Sequence, residues 1–173
     1  MVMMIPTDTN ILERFLQLRR FRQARKYLNG DVLDFGGNKG ELRPLVSGTY
    51  TLCNKNYAVL KHKRFDRIIM LGVLEHITVS RVKPVLSMLK THLRKDGFLI
   101  LTTPAPAAKP ILEVLSFLRI VDRKNILEHK KYWRKHELYA LADACGFRVV
   151  TYSSFQCGLN NFMVLERSDG VHE

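Results

Sequence analysis

Val32-Leu33-Asp34-Phe35-Gly36-Gly37-Asn38-Lys39-Gly40 is the stretch from which the fold is read. An apolar run ending on Asp34 and Phe35 passes straight into a turn with three glycines, and Glu41-Leu42-Arg43 then opens a short helix. The pattern is strand, tight turn, helix start. Glycine suits such a turn because backbone N–H groups presented to a ligand often require positive φ and leave no room for a Cβ. The same arrangement also serves where a strand merely meets a helix, so function has to be argued from the rest of the chain.

At 173 residues, 46% hydrophobic and 25% charged, the chain reads as one folded domain with a substantial core, spanning residues 1–173. Its formal charge of +12 points to an anionic partner (nucleic acid, a membrane surface or a phosphorylated substrate) or to a solvated basic surface. Cys53, Cys145 and Cys157 match neither a disulfide framework nor a metal site, which indicates a reducing compartment and no metal. Residues 1–10 lack a basic segment followed by an apolar one, and the longest apolar stretch, Pro110 to Val121, is interrupted by Glu113 and too short to span a bilayer. A cytoplasmic protein is expected.

Residues 7–29 read as an N-terminal helix, apolar on one side and basic on the other through Arg14, Arg19, Arg20, Arg22, Arg25 and Lys26, ended by Asn29-Gly30. Its basic face is either solvated or docked on an acidic substrate or an anionic membrane surface. Asp31 to Gly36 is a strand buried on both faces, Glu41 to Val46 a short helix broken by Pro44, and Tyr50 to Asn54 a second strand. Asp66 to Leu71 is a third strand running into Gly72-Val73-Leu74-Glu75-His76-Ile77. A helix capped by Thr78 or Ser80 then extends to Lys95-Asp96-Gly97, and Phe98 to Thr103 is the fourth strand. Residues 105–131 form a lid, an acceptor-binding insertion or a surface helix. A helix over Lys135 to Cys145 stops at Gly146, and Phe147 to Tyr152 and Phe162 to Glu166 close the fold as a hairpin. Strands alternating with helices predict a doubly wound, Rossmann-like α/β sheet, mostly parallel, with an antiparallel C-terminal edge hairpin.

In such sheets ligands bind beyond the carboxyl ends of the strands, where strand order reverses. The order of motifs resembles the class I S-adenosylmethionine-dependent methyltransferases, and within them the small type 11/12 branch. Four stretches carry the likeness: Val32 to Gly40, similar to a cofactor loop V-L-D-x-G-x-G-x-G; Phe65-Asp66 through Val73-Leu74-Glu75-His76-Ile77; Leu93 to Ile100 with Thr103-Pro104; and Glu128-His129 through Gly146-Phe147. Together they cover roughly residues 31 to 165.

The resemblance implies S-adenosyl-L-methionine as cofactor. Gly36, Gly37, Asn38 and Gly40 would let the backbone approach its methionine part, Asp34 would hold the loop or the cofactor amino group, and Asn54 would meet the ribose. Leu71, Gly72 and Glu75 would line the same crevice. Three departures stand out: Asn54 where the family has a carboxylate, Asn38 in place of a glycine, and an interval from Asn54 to Asp66 too short for the usual helix, third strand and adenine-contacting turn. The third-strand region is therefore expected to be missing or shortened.

Methyl transfer needs alignment and, for a hydroxyl acceptor, a base. His76 and His129 are the candidates, each with a packing role as the alternative. Tyr132 and Trp133 read as stacking residues for a sugar or as core anchors. A small-molecule or glycan acceptor is favoured. Nucleic acid is disfavoured, because Leu71-Gly72-Val73-Leu74 stands where base-amine methyltransferases carry an Asn/Asp-Pro-Pro-aromatic motif. A non-catalytic or partner-dependent protein of this fold is the alternative, and an RNA methyltransferase a second one.

Overall fold

The computed structural model describes residues 11–117 and 130–168. In chain order it contains α1 (Ile11–Ala24), β1 (Asn29–Phe35), β2 (Ser47–Cys53), β3 (Phe65–Leu71), α2 (Val79–His92), β4 (Leu93–Pro104), α3 (Ala108–Phe117), α4 (Lys135–Ala144), β5 (Phe147–Phe155) and β6 (Asn160–Arg167). The strands form one sheet in the order β2-β1-β3-β4-β6-β5. The first four are parallel, and β6 lies antiparallel between β4 and the edge strand β5. The expected parallel sheet with a C-terminal hairpin is present, and strand order reverses between β1 and β3.

Alternating residues of the central strands go to opposite faces, as the twofold period of a strand requires. Leu33, Ile68, Met70, Leu99, Leu101, Met163 and Leu165 belong to a core that α2 closes with Val82, Leu86 and Leu89 and α4 with Leu138, Leu141 and Ala142. On the other face Val32, Ile69, Ile100, Phe162 and Val164 pack with Ala24 of α1 and with Leu28. Both faces of β1 are thus covered, which is why Val32, Leu33 and Phe35 are all apolar; Asp34 is the exception. At the amino ends of the strands, Arg94 bridges Asp31 (2.5 Å) and Asp66 (2.8 Å), which pins β1, β3 and β4 together on the side away from the glycine turn.

Several boundaries differ from expectation. The helix after the glycine turn is only a 3-10 turn, Arg43–Leu45, with Pro44 in its first turn, where the missing N–H has no intrahelical acceptor to serve. One further 3-10 turn, Tyr57–Leu60, is all that separates β2 from β3, so no strand or helix fills that interval. The N-terminal helix gives way after Ala24 to a 3-10 turn, Arg25–Tyr27. Thr78 sits at the cap of α2 without a side-chain hydrogen bond. That helix stops at His92 and not at Gly97, because Leu93 already pairs with Phe65 of β3; the register then shifts before Arg67 meets Phe98. Gly146 ends α4 with φ +70, as read.

Candidate active site

The turn after β1 is shaped by side chains around it. Gly36 has φ +79, and a Cβ there would lie 2.6 Å from a methyl of Val73, so that strand end and the residue after Gly72 touch through a bare backbone. A Cβ on Gly37 would fall 2.0 Å from the Asp34 carboxylate, which therefore occupies the space that Gly37 leaves. Asn38 takes the left-handed conformation at φ 50, which asparagine tolerates better than most residues; this accounts for its replacing a glycine.

Asp34 is buried and accepts a hydrogen bond from the Tyr50 hydroxyl at 2.7 Å. Burial pushes its carboxyl up to about 6, with Tyr50 opposing the rise and Glu41 adding to it. Burial, then Asp34 itself, raises the Tyr50 phenol in turn. Asp34 thus props the turn from beneath. Asn54 is exposed just past β2, and its Nδ2 donates to the Asn38 carbonyl at 2.7 Å, so it clips the turn while its own amide oxygen is left as an acceptor.

The opposite rim is built from the end of β3. Gly72 has φ +68, and its N–H donates to Thr102, reaching both the carbonyl (3.0 Å) and Oγ1 (3.1 Å). A Cβ on Gly72 would meet Nη1 of Arg20 at 2.6 Å. The Arg20 guanidinium from α1 therefore crosses the sheet end where no side chain stands in its way. Leu71 is half-buried beside it.

Glu75 is fully buried and accepts from Thr103 Oγ1 at 3.1 Å; burial pushes its carboxyl up, and the Arg20 charge is the strongest influence pulling it back. The sequence reading gave Glu75 to orienting the cofactor or a loop N–H. In the structure its carboxylate ties the turn after β3 to β4 and to Arg20, and its carbonyl accepts from the Lys130 N–H at 2.7 Å. His76 follows on the same 3-10 turn, half-buried. Trp133 is a core residue, its carbonyl accepting from Asn161 Nδ2 at 3.0 Å, which decides between stacking and anchoring in favour of the anchor. Tyr132 is half-buried near Glu75, whose charge adds to the burial that raises its phenol. His129 and the larger part of the 105–131 insertion after α3 lie outside the described residues.

Arg20, Tyr50 and Thr103 are the site residues that sequence reasoning missed. Arg20, which the sequence reading put on the basic face, instead reaches Gly72, and a signal for this was present: it stands in line with Leu16, Ala24 and Leu28, where an arginine is out of place. Its Nε is buried and has no hydrogen-bond partner among the described residues, although a charged donor shut away from water demands one. An orphaned charged donor beside Gly72, at the strand ends that carry the glycines, is chemistry that would suit the carboxylate of a methionine-bearing cofactor. Residues Gly36, Gly37, Asn38, Gly40 and Gly72 are compatible with close approach of such a ligand.

Residues 10–152 match the family model described as a methyltransferase domain. No curated protein matches the chain. Among solved structures, the mitomycin 7-O-methyltransferase is 16% identical with a TM-score of 0.64, covering 88% of this chain and 54% of its own length. The magnesium protoporphyrin IX methyltransferase of Synechocystis PCC 6803, solved with bound S-adenosylhomocysteine, is 15% identical with a TM-score of 0.65, covering 95% and 90%. A protein from Pyrococcus horikoshii OT3 is 16% identical with a TM-score of 0.65, covering 95% and 96%. The chain thus spans about half the length of the first and nearly all of the other two. With the glycine turn at the strand-order reversal and the sheet shared with these structures, the chain belongs to the methyltransferase domain family and has the class I S-adenosylmethionine-dependent methyltransferase fold.

Proposed function

We propose that this protein transfers the methyl group of S-adenosylmethionine to a hydroxyl of a small-molecule acceptor, a sugar or lipid-linked glycan. The observation that carries the reading is the crevice between the β1 turn and Gly72, with the Arg20 donor left unpartnered beside it. When bound, the cofactor supplies a methyl group already activated on a sulfonium. Arg20 would then receive the cofactor carboxylate, the Gly36 to Gly40 turn would approach it through backbone, and Asn54 would offer its amide oxygen to a ribose hydroxyl. His76, on the turn at the rim, is the base we assign for the acceptor proton, with His129 as the second candidate. Three free cysteines favour a cytoplasmic setting, and among the described residues no helix is long and apolar enough to cross a membrane.

The test is calorimetric titration with S-adenosylmethionine and S-adenosylhomocysteine, followed by an acceptor screen that begins with hydroxylated sugars. Micromolar binding and turnover support the reading. Turnover that survives His76→Ala and His129→Ala together removes the base assignment. A second reading, a cofactor-weak protein that needs a partner, is favoured by Asn54 being engaged with Asn38 and by the single 3-10 turn between β2 and β3. It predicts no binding by the isolated chain. RNA as acceptor predicts RNA binding that weakens steeply with salt.

A further inference from the structure

Helix α1 has a second face. Phe15, Leu18, Arg19 and Arg22 fall at i, i+3, i+4 and i+7 and are all exposed, as are Arg14 and, in the following turn, Arg25 and Lys26. Phe15 is 49% and Leu18 55% exposed, an apolar pair on the outside of a helix whose inner side already meets the sheet. The Arg19 guanidinium carbon lies 5.2 Å from the Phe15 ring centroid. No carboxylate occurs between Arg14 and Lys26, Glu13 being the nearest before them, so five exposed cations along one side of the helix and its following turn repel one another in the free protein.

We propose that this face docks on an anionic lipid bilayer, Phe15 and Leu18 entering the boundary between headgroups and acyl chains while Arg14, Arg19, Arg22, Arg25 and Lys26 pair with lipid phosphates. The charge is complementary to anionic headgroups, and an apolar pair rimmed by arginines is the composition of an interfacial helix. Nucleic acid would neutralise the arginines but offers Leu18 no apolar medium. Docking places the crevice beside the bilayer, because Arg20, next in the chain to Arg19, reaches Gly72 on the inner side of the same helix. An acceptor carried by a lipid would then lie about 10 Å from the crevice, one helix diameter. Only this last step rests on the proposed methyl transfer.

The experiment is co-sedimentation of the full chain with pure phosphatidylcholine vesicles and with mixed phosphatidylcholine–phosphatidylglycerol vesicles, over a range of salt. Binding to the mixed vesicles alone, weakened by salt, is expected. Phe15→Ser with Leu18→Ser, and separately Arg19→Glu with Arg22→Glu, should each lower partitioning about tenfold or more. These side chains are exposed, and unchanged circular dichroism is expected. Indifference of the wild-type chain to phosphatidylglycerol overturns the proposal whatever the variants do, and so does equal binding by folded variants. Retention by single-stranded RNA with no vesicle binding assigns the face to nucleic acid and likewise overturns it. S-adenosylhomocysteine titration of the same samples reports the crevice separately: intact cofactor binding with no vesicle binding sinks only the docking, and the converse sinks only the methyl transfer.

Discussion

The two rims of the crevice are made differently. The rim after β3 is buried and cross-braced: Gly72 to Thr102, Thr103 to Glu75, Arg20 against both Gly72 and Glu75. The rim after β1 is largely exposed at Asn38, Lys39, Glu41 and Asn54, and leads into two short 3-10 turns where a longer crossover would have added a strand and a helix. Among the described residues it is braced by two side-chain hydrogen bonds, Tyr50 on Asp34 and Asn54 on Asn38, and by backbone bonds such as that from the Gly36 N–H to the Cys53 carbonyl. The difference teaches where rigidity has been kept. Buried polar groups hold one geometry because leaving any of them unpaired is costly, so the rim that would face the cofactor's reacting end is fixed, while the other can yield.

The largest effect should come from breaking the buried rim. Glu75→Ala strips Thr103 of its acceptor and Arg20 of the carboxylate charge beside it and should cost about 4 kcal/mol in chemical unfolding, whereas Glu75→Gln, which still accepts from Thr103, should cost about 1 kcal/mol or less. Equal losses would mean that Glu75 contributes volume alone. Next comes the contact between the rims: Gly36→Ala must leave the left-handed region or push Val73 aside, which should cost about 3 kcal/mol and abolish detectable S-adenosylhomocysteine binding.

A pH dependence separates the rims further. Asp34 is raised from 3.8 to about 6 by burial, so between those values the folded chain holds a proton that the unfolded chain has released. The stability it contributes is therefore complete below 3.8 and is lost as pH rises through about 6. Asp34→Asn, which keeps an acceptor for Tyr50, should flatten this part of the profile and be the more stable chain at neutral pH by as much as about 3 kcal/mol. The melting-temperature difference between Asp34→Asn and wild type, measured across the acid range, checks the sign, because Asp31 and Asp66 with lowered carboxyls act in the opposite sense in both chains; a difference that does not grow in favour of the variant as pH rises would contradict it. The smallest effect belongs to the exposed clip. Asn54→Ala should leave unfolding unchanged within about 0.5 kcal/mol and weaken S-adenosylhomocysteine less than tenfold, because the bond it removes is open to water.

Much of this contrast was visible before any coordinates. A nearly continuous apolar run into three glycines located β1 and its turn, and the shortness of the Asn54 to Asp66 interval foretold the missing strand. Glu75 had two readings, orienting the cofactor or orienting a loop, because the turn after β3 looks the same whether its carboxylate points at a ligand or inward; its partners Thr103 and Arg20 lie 28 and 55 residues away. Trp133 had two readings for the same reason. It is buried in a core shared with residues far along the chain, and Asn161 of β6 holds its carbonyl, which no local pattern encodes.

What the sequence determined by itself is what short-range periodicity controls: which segments are strands, which are helices, their order, and where backbone must turn without a Cβ. What the tertiary structure alone decided is the pairing of distant polar groups: Tyr50 beneath Asp34, Asn54 on Asn38, Arg20 over Gly72 beside Glu75. The physical reason is that a hydrogen bond or buried charge pair depends on distances of a few ångströms between residues far apart in the chain. Those distances are set by how the sheet and its helices pack, and not by the identity of either partner.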